Sequence, residues 1–167
     1  MSGSGKSFYA EYLNNYLSAK HYKINLLDGD IIRDRYKTSI GFSYDEICQN
    51  NLTIADSCYK EYKDYDFSII SVISPYEHIR KKIRELFKKD ILFIYIHSDI
   101  ESLVSRDTKG LYKKARDGEI SNLIGYSDDS LYETPVSPDL KINTTKLDDP
   151  EKNFTLLKSY IDEIISK

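Results

Sequence analysis

Apolar positions along this chain alternate between two spacings. From Phe8 to Ala19 they fall at Phe8, Tyr12, Leu13, Tyr16 and Leu17, the rhythm of a helix with one buried face. Helical patterns recur near Ser43–Tyr62, Tyr76–Lys89, Ile100–Arg106 and Pro150–Ile165. Between them, short apolar runs at Ile24–Leu27, Phe67–Ile73, Ile91–His97 and, more weakly, Leu140–Ile142 predict strands. Strands and helices alternate without internal repeats, so the pattern predicts an α/β fold, a mostly parallel sheet with helices on both faces. The stretch Thr108 to Pro138 has no period and is rich in Gly, Ser, Asp and Pro. It reads either as a lid that closes over a site or as a surface excursion.

Directly ahead of the first helix stands Met1-Ser2-Gly3-Ser4-Gly5-Lys6-Ser7. Gly5, Lys6 and Ser7 supply the last three fixed positions of the phosphate-binding loop G-x-x-x-x-G-K-[ST], whose first Gly would fall just before Met1. In such a loop small residues let successive amides curl around a phosphate, the Lys reaches the β- and γ-phosphates, and the hydroxyl binds Mg²⁺. The helix behind adds its partial positive charge. Ser-Gly-Ser-Gly alone reads as a linker; Lys6-Ser7 and the following helix favour the phosphate site, with Gly3, Ser4, Gly5, Lys6 and Ser7 as its residues.

Bulk properties narrow the class. At 167 residues the chain suits a single domain spanning 1–167, with the lid at about 108–138. Lys+Arg 24 against Asp+Glu 27 gives a net charge of −3, which implies no general nucleic-acid-binding surface. No apolar run approaches membrane-spanning length and no secretory signal is visible, so a cytoplasmic protein is expected. Cys48 and Cys58 share one predicted helix without metal-ligand company and read as reduced thiols.

Further motifs sit at predicted strand ends. Leu26-Leu27-Asp28-Gly29-Asp30 places two carboxylates at the C-terminal edge of the sheet, where α/β proteins bind ligands. One could accept a hydroxyl proton, or as Asp28 help hold Mg²⁺, while Arg33 could clamp a substrate phosphate; the alternative is a turn with a helix cap. In Ile73-Ser74-Pro75-Tyr76, Ser74 suits the cap of the next helix and Pro75 its first turn. The run from Arg106 to Arg116 brings cations into the lid, either to neutralise a transferring phosphoryl group or as a solvated face. Tyr132-Glu133-Thr134-Pro135 leads into the last strand and Asn143-Thr144-Thr145.

In this order the motifs resemble the adenylylsulfate kinase family along essentially the whole chain. The matching stretches are Ser2–Ser7, Leu26–Asp30 with Arg33, Gly41-Phe42-Ser43, Ile73–Tyr76, and above all Lys109-Gly110-Leu111-Tyr112-Lys113-Lys114-Ala115-Arg116 with Gly118-Glu119-Ile120. The resemblance implies a P-loop kinase that uses ATP and Mg²⁺ to phosphorylate the ribose 3′-hydroxyl of a nucleotide with a modified 5′-phosphate, and it implies a homodimer. By the same resemblance Gly3, Ser4, Gly5, Lys6 and Ser7 form the ATP and Mg²⁺ site, with Thr144 near the adenine. Asp30 orients or deprotonates the hydroxyl, and Lys6 and Lys109 stabilise the transferring group. Arg33, Phe42, Asn50, Ser74, Lys109 and Leu123 contact the acceptor. The family's strand ahead of the loop is central in its sheet, so the resemblance implies that the native start lies upstream of Met1.

The departures concern the acceptor side. Ile47, Leu52 and Thr53 stand where the resembling family has arginines, Leu123 where it has a Phe that packs on the substrate base, and Glu77 where it has Arg. Losing a charge-assisted contact at Ile47 removes roughly 1.5–3 kcal/mol. Losing an aromatic stack at Leu123 removes roughly 1–3 kcal/mol. A branch of the resembling family with this profile phosphorylates cytidine diphosphoramidate in building phosphoramidate-decorated capsule, and the losses at Ile47 and Leu123 fit that acceptor, so the resemblance implies it as the expected one. Adenylylsulfate is the alternative, and a nucleotide-binding or truncated copy without turnover is the second.

Overall fold

In chain order the protein forms α1 (Lys6–Ala19), β1 (Ile24–Asp28), α2 (Tyr44–Glu61), β2 (Phe67–Ser71), α3 (Glu77–Phe87), β3 (Ile94–His97), α4 (Ile100–Arg106), α5 (Leu111–Arg116), β4 (Leu140–Asn143) and α6 (Pro150–Ile165). This is a computed structural model, and it describes residues 1–29, 43–145 and 150–166. β1 pairs in parallel with β2, with Ile24 opposite Phe67 and Asp28 opposite Ser71. β3 pairs in parallel with β4, with Ile94 opposite Leu140 and His97 opposite Asn143. Among the described residues no ladder joins the two pairs.

The period of two along each strand decides which helix layer its side chains join. Phe67, Ile69, Ile94, Ile96, Leu140 and Ile142 pack with Tyr9, Leu13 and Leu17 of α1 and Phe154, Leu157 and Ile161 of α6. Ile70 and Phe93 turn the other way, to Ile47, Ala55 and Cys58 of α2 and Ile79, Ile83 and Phe87 of α3. Leu17, Ile142 and Leu157 are sealed from water, and each such burial stabilises by roughly 1.5–3 kcal/mol. The expected α/β fold with helices on both faces is thus present. No described helix is long and apolar enough to cross a membrane.

Local chemistry explains the boundaries. Ser43 begins α2 through a capping box, its hydroxyl accepting from the Glu46 amide while the Glu46 carboxylate accepts from the Ser43 amide. β3 starts at Ile94, not Ile91, because the Phe93 amide donates to the Asp139 side chain at 2.7 Å, outside any ladder. The expected cap at Ser74 is not made: α3 starts after Tyr76 without a side-chain cap from its own segment, and the Ser74 hydroxyl is buried without a partner. Glu133 takes that role, accepting from the Glu77 amide at 2.5 Å across 56 residues of sequence.

The aperiodic stretch contains α5, which sequence pattern does not predict. Its six residues follow Gly110, whose φ of 66° is left-handed, and the Asp107 carboxylate accepts from the Tyr112 and Lys113 amides at 3.0 and 2.9 Å. Leu103, Tyr112 and Leu123 form a third apolar cluster with Met1 and Leu111 against it. The base of the segment is therefore packed onto the N-terminal loop, and its far end is tied to α3 through Glu133.

Candidate active site

The loop ahead of α1 is shaped by two glycines. Gly3 and Gly5 have φ of 72° and 94°, a left-handed backbone in which any side chain is strained. Gly5 is the N-cap of α1 and supplies no side-chain cap, so the amides of the first turn and the helix dipole face the loop as an anion seat. Ser4 is 1% exposed and donates its hydroxyl to the Met1 carbonyl at 3.0 Å. Lys6 Nζ donates to the same carbonyl at 2.8 Å, which holds the ammonium back along the loop.

The loop is braced from two sides. Thr144, buried after β4, lies 3.0 Å from both the Ser4 and His97 carbonyls through its hydroxyl. Arg106 donates to the Thr144 carbonyl at 2.9 Å, to the Ser102 carbonyl at 3.0 Å, and to the Ser98 hydroxyl. On the other side the Tyr112 hydroxyl donates to the Ser2 carbonyl at 2.9 Å. Burial pushes this phenol up to about 12, so it remains a donor at physiological pH.

Parallel pairing sets the chemistry beside the loop. Because Asp28 and Ser71 are register partners at the C-terminal ends of β1 and β2, both reach the first turn of α1. Ser7 Oγ donates to Asp28 Oδ2 at 2.8 Å and lies 3.3 Å from Ser71 Oγ. These are hard oxygen donors, one carboxylate among them, next to a phosphate seat. That donor set fits Mg²⁺, which typically takes one or two carboxylates together with substrate phosphates and waters. Gly29 follows Asp28 because a Cβ there would lie 2.7 Å from Val72 Cγ1.

These groups open onto one cavity of about 740 Å³, a size suited to small-molecule ligands. Gly3, Ser4, Gly5, Lys6, Ser7, Asp28, Asn50, Lys109, Leu123 and Thr144, all expected from sequence, line it. Ile47 also lines it, and it and Leu123 are only 4% and 9% exposed. Of the cations in the run from Arg106 to Arg116, Arg106 and Lys109 reach this wall and Lys113, Lys114 and Arg116 do not. Ser74 is not on this wall; it borders a separate cleft between β2 and β3. Asp30, Arg33 and Phe42 lie outside the described residues, although Gly29, directly before Asp30, is on the cavity wall.

Ser71, Asn51 and the bracing role of Arg106 were missed by sequence reasoning. Asn51 is 4% exposed and donates Nδ2 to the Ile47 and Ile73 carbonyls at 3.0 and 3.2 Å, tying α2 to the loop after β2. Aligning the predicted strands from their first residues, Ile24 with Phe67, would have put Ser71 opposite Asp28. Nothing local marks Asn51 or Arg106.

Comparison with known proteins agrees with this geometry. The family described as Adenylylsulphate kinase matches residues 1–143. The adenylyl-sulfate kinase of Marinobacter nauticus is 37% identical over 148 residues, covering 87% of this chain and 73% of that protein. That of Halothermothrix orenii is 35% identical over 167 residues, covering 98% and 86%. The solved APS kinase CysC of Mycobacterium tuberculosis, in complex with AMPPNP and APS, superposes with a TM-score of 0.87 at 25% identity, covering 97% of this chain and 93% of that one.

Proposed function

Since the chain belongs to the adenylylsulphate kinase family, we propose that it transfers the γ-phosphoryl group of ATP to the 3′-hydroxyl of adenylylsulfate. The observation that carries the kinase reading is the convergence of the Gly3–Ser7 loop, Asp28 and Ser71 on one cavity. Similarity to adenylyl-sulfate kinases along most of the chain supports the acceptor. This reverses the order expected from the departures at Ile47 and Leu123.

In the reaction, the α1 amides and Lys6 hold the β- and γ-phosphates in line with the acceptor. Lys6 leaves the Met1 carbonyl for this purpose. Ser7 and Asp28, with Ser71 beside them, would hold Mg²⁺, which supplies charge neutralisation on the phosphates. Asp30 orients the attacking hydroxyl and accepts its proton. Lys109 stabilises the charge spread over the equatorial oxygens, while Arg106 keeps the loop braced through Thr144. Asn50, Ile47 and Leu123 form the acceptor wall, and by the family resemblance Arg33 and Phe42 contribute to acceptor binding.

A second acceptor, cytidine diphosphoramidate, is favoured by one specific observation. Ile47 and Leu123 give the cavity wall an apolar surface where the resembling family carries a guanidinium and an aromatic ring. A sulfate finds less charge there, and a purine less stacking area. A coupled ATP-consumption assay with each nucleotide separates the readings. We expect kcat/KM for adenylylsulfate to exceed that for cytidine diphosphoramidate by at least ~10-fold, which is ~1.4 kcal/mol of transition-state preference. The reverse ratio installs the second acceptor, and ATP binding with turnover of neither marks a non-catalytic nucleotide-binding protein.

A further inference from the structure

Glu77, Arg80 and Arg84 fall at i, i+3 and i+7 on one face of α3, and all three bond the segment that leads from the aperiodic stretch into β4. Arg84 donates to the Ser137 carbonyl at 3.2 Å and pairs with Asp139 at 2.8 Å. Arg80 does more, because its guanidinium reaches two segments at once. Its Nη1 donates to the Ser74 carbonyl at 2.6 Å and its Nη2 to the Glu133 carbonyl at 2.9 Å. Nε and Nη2 also donate to Glu77 Oε2, at 2.9 and 2.7 Å. Arg80 is 6% exposed, and Glu77 supplies the opposite charge that a buried guanidinium needs.

The two carbonyls lead to separate stretches of the cavity wall. Ser74 follows Ile73, which lines the cavity and whose own carbonyl accepts from Asn51. Glu133 follows Tyr132, which lies so close to Gly125 that a Cβ on the glycine would meet Tyr132 Cβ at 3.1 Å. Leu123 and Ile124, directly before Gly125, line the cavity. A main-chain bond joins the same two segments, from the Glu133 amide to the Pro75 carbonyl at 2.8 Å. Tyr76 belongs to one apolar cluster with Ile47, Ile73 and Ile124, three residues of that wall.

We propose that Arg80, charge-balanced by Glu77, is a positioning residue for the acceptor nucleotide: by bonding the Ser74 and Glu133 carbonyls together it sets the spacing between Ile73 and the Leu123-Ile124 pair. The inference rests on the kinase reading above and adds a residue that touches neither nucleotide, since Arg80 is not on the wall of this cavity. Lys cannot replace it, because one ammonium does not reproduce a planar fork that reaches two carbonyls and a carboxylate. The Gly3–Ser7 loop is braced elsewhere, by Thr144 and Tyr112, so the clamp acts on the acceptor and leaves ATP binding alone.

The test is steady-state kinetics, with whichever of the two acceptors the wild-type chain turns over, on Arg80→Lys, Glu77→Gln and the control Arg84→Lys. Arg80→Lys should raise KM for the acceptor about 10-fold and shift KM for ATP less than about 2-fold. Glu77→Gln keeps an oxygen for Arg80 and should raise the acceptor KM only about 3-fold. Arg84→Lys loosens the same segment nearer β4 and should leave both KM values within about 2-fold of wild type, even where it lowers the melting temperature as far. Acceptor and ATP KM rising together, an unmoved acceptor KM in Arg80→Lys, or an equal rise in Arg84→Lys overturns the proposal. Amide exchange without nucleotide is the second readout. Gly125, Tyr126 and Ser127, whose amides bond within the aperiodic stretch, should exchange at least ~10-fold faster in Arg80→Lys than in Arg84→Lys. Wild-type turnover of neither acceptor defeats the kinase reading, and exchange then decides the inference alone, equal rates in the two variants overturning it. If Arg80→Lys does not fold, Glu77→Gln decides by the same criteria.

Discussion

The Ser7 hydroxyl has two neighbours that the loop motif does not announce, Asp28 at 2.8 Å and Ser71 at 3.3 Å. Ser71 is 7% exposed, and its contact with Ser7 is long enough to add little stability. Its value is chemical: a hard oxygen within reach of whatever cation Ser7 and Asp28 hold. Ser71→Ala should therefore raise the Mg²⁺ concentration needed for half-maximal activity by roughly 3- to 10-fold, equivalent to a net ~1 kcal/mol, while leaving the melting temperature nearly unchanged. The measurement is initial rate against Mg²⁺ at fixed ATP. An unchanged Mg²⁺ dependence would remove Ser71 from the metal-binding set. Thr144 makes a different point about single residues. Its hydroxyl is engaged with the Ser4 and His97 carbonyls, so its place on the cavity wall comes with holding the loop in shape.

At the scale of elements, α3 is held at its start by residues far along the chain. Glu133 accepts from the Glu77 amide at 2.5 Å, and Arg80, 6% exposed, donates to the Glu133 carbonyl at 2.9 Å and to the Ser74 carbonyl at 2.6 Å. Glu133→Ala should cost about 0.5–2 kcal/mol, the usual worth of a helix cap, and lower the melting temperature by a few degrees; Glu133→Gln keeps an acceptor and should recover most of the loss. A thermal melt of the three proteins decides it, and Ala and Gln forms that melt alike would show that the cap carries no weight. This contact explains why Ser74-Pro75 misled: the pair has the composition of a helix start, but the acceptor comes from the end of the aperiodic stretch. Periodic elements were legible because each buries a continuous face, as Tyr9, Leu13 and Leu17 of α1 do. α5 was not, because a six-residue helix held by Asp107 and the buried Tyr112 has too few turns to show a period. In the site, the loop and Asp28 were readable from motif and strand end. Ser71, Asn51 and Arg106 act through register or packing, which a linear motif does not encode.

For the molecule as a whole, stability should depend on pH in two windows with the same sign. Asp139 is pushed up by burial, but the Arg84 guanidinium, the Phe93 amide and the Arg84 charge outweigh this and hold its carboxyl below the usual range. A carboxyl depressed on folding adds stability that is complete above its unfolded pKa near 4 and is lost as pH falls through the lower folded value. The Met1 amine is held down to about 4, against an unfolded value near 8. The folded protein therefore binds fewer protons in the interval between, and stability should rise with pH from about 4 to about 8, by at most ~1.4 kcal/mol per unit. His97, also lowered by burial and by Lys141, acts in the same direction, but only below its unfolded value near 6.5. The interval from pH 6.5 to 8 thus isolates the amine. Urea titrations of the 167-residue chain at pH 6.5, 7.2 and 8 should show a rising midpoint at constant slope. Acetylating the Met1 nitrogen should flatten that rise while leaving the acid limb below pH 4 intact. A rise that survives acetylation would mean that a group other than the Met1 amine titrates in this interval.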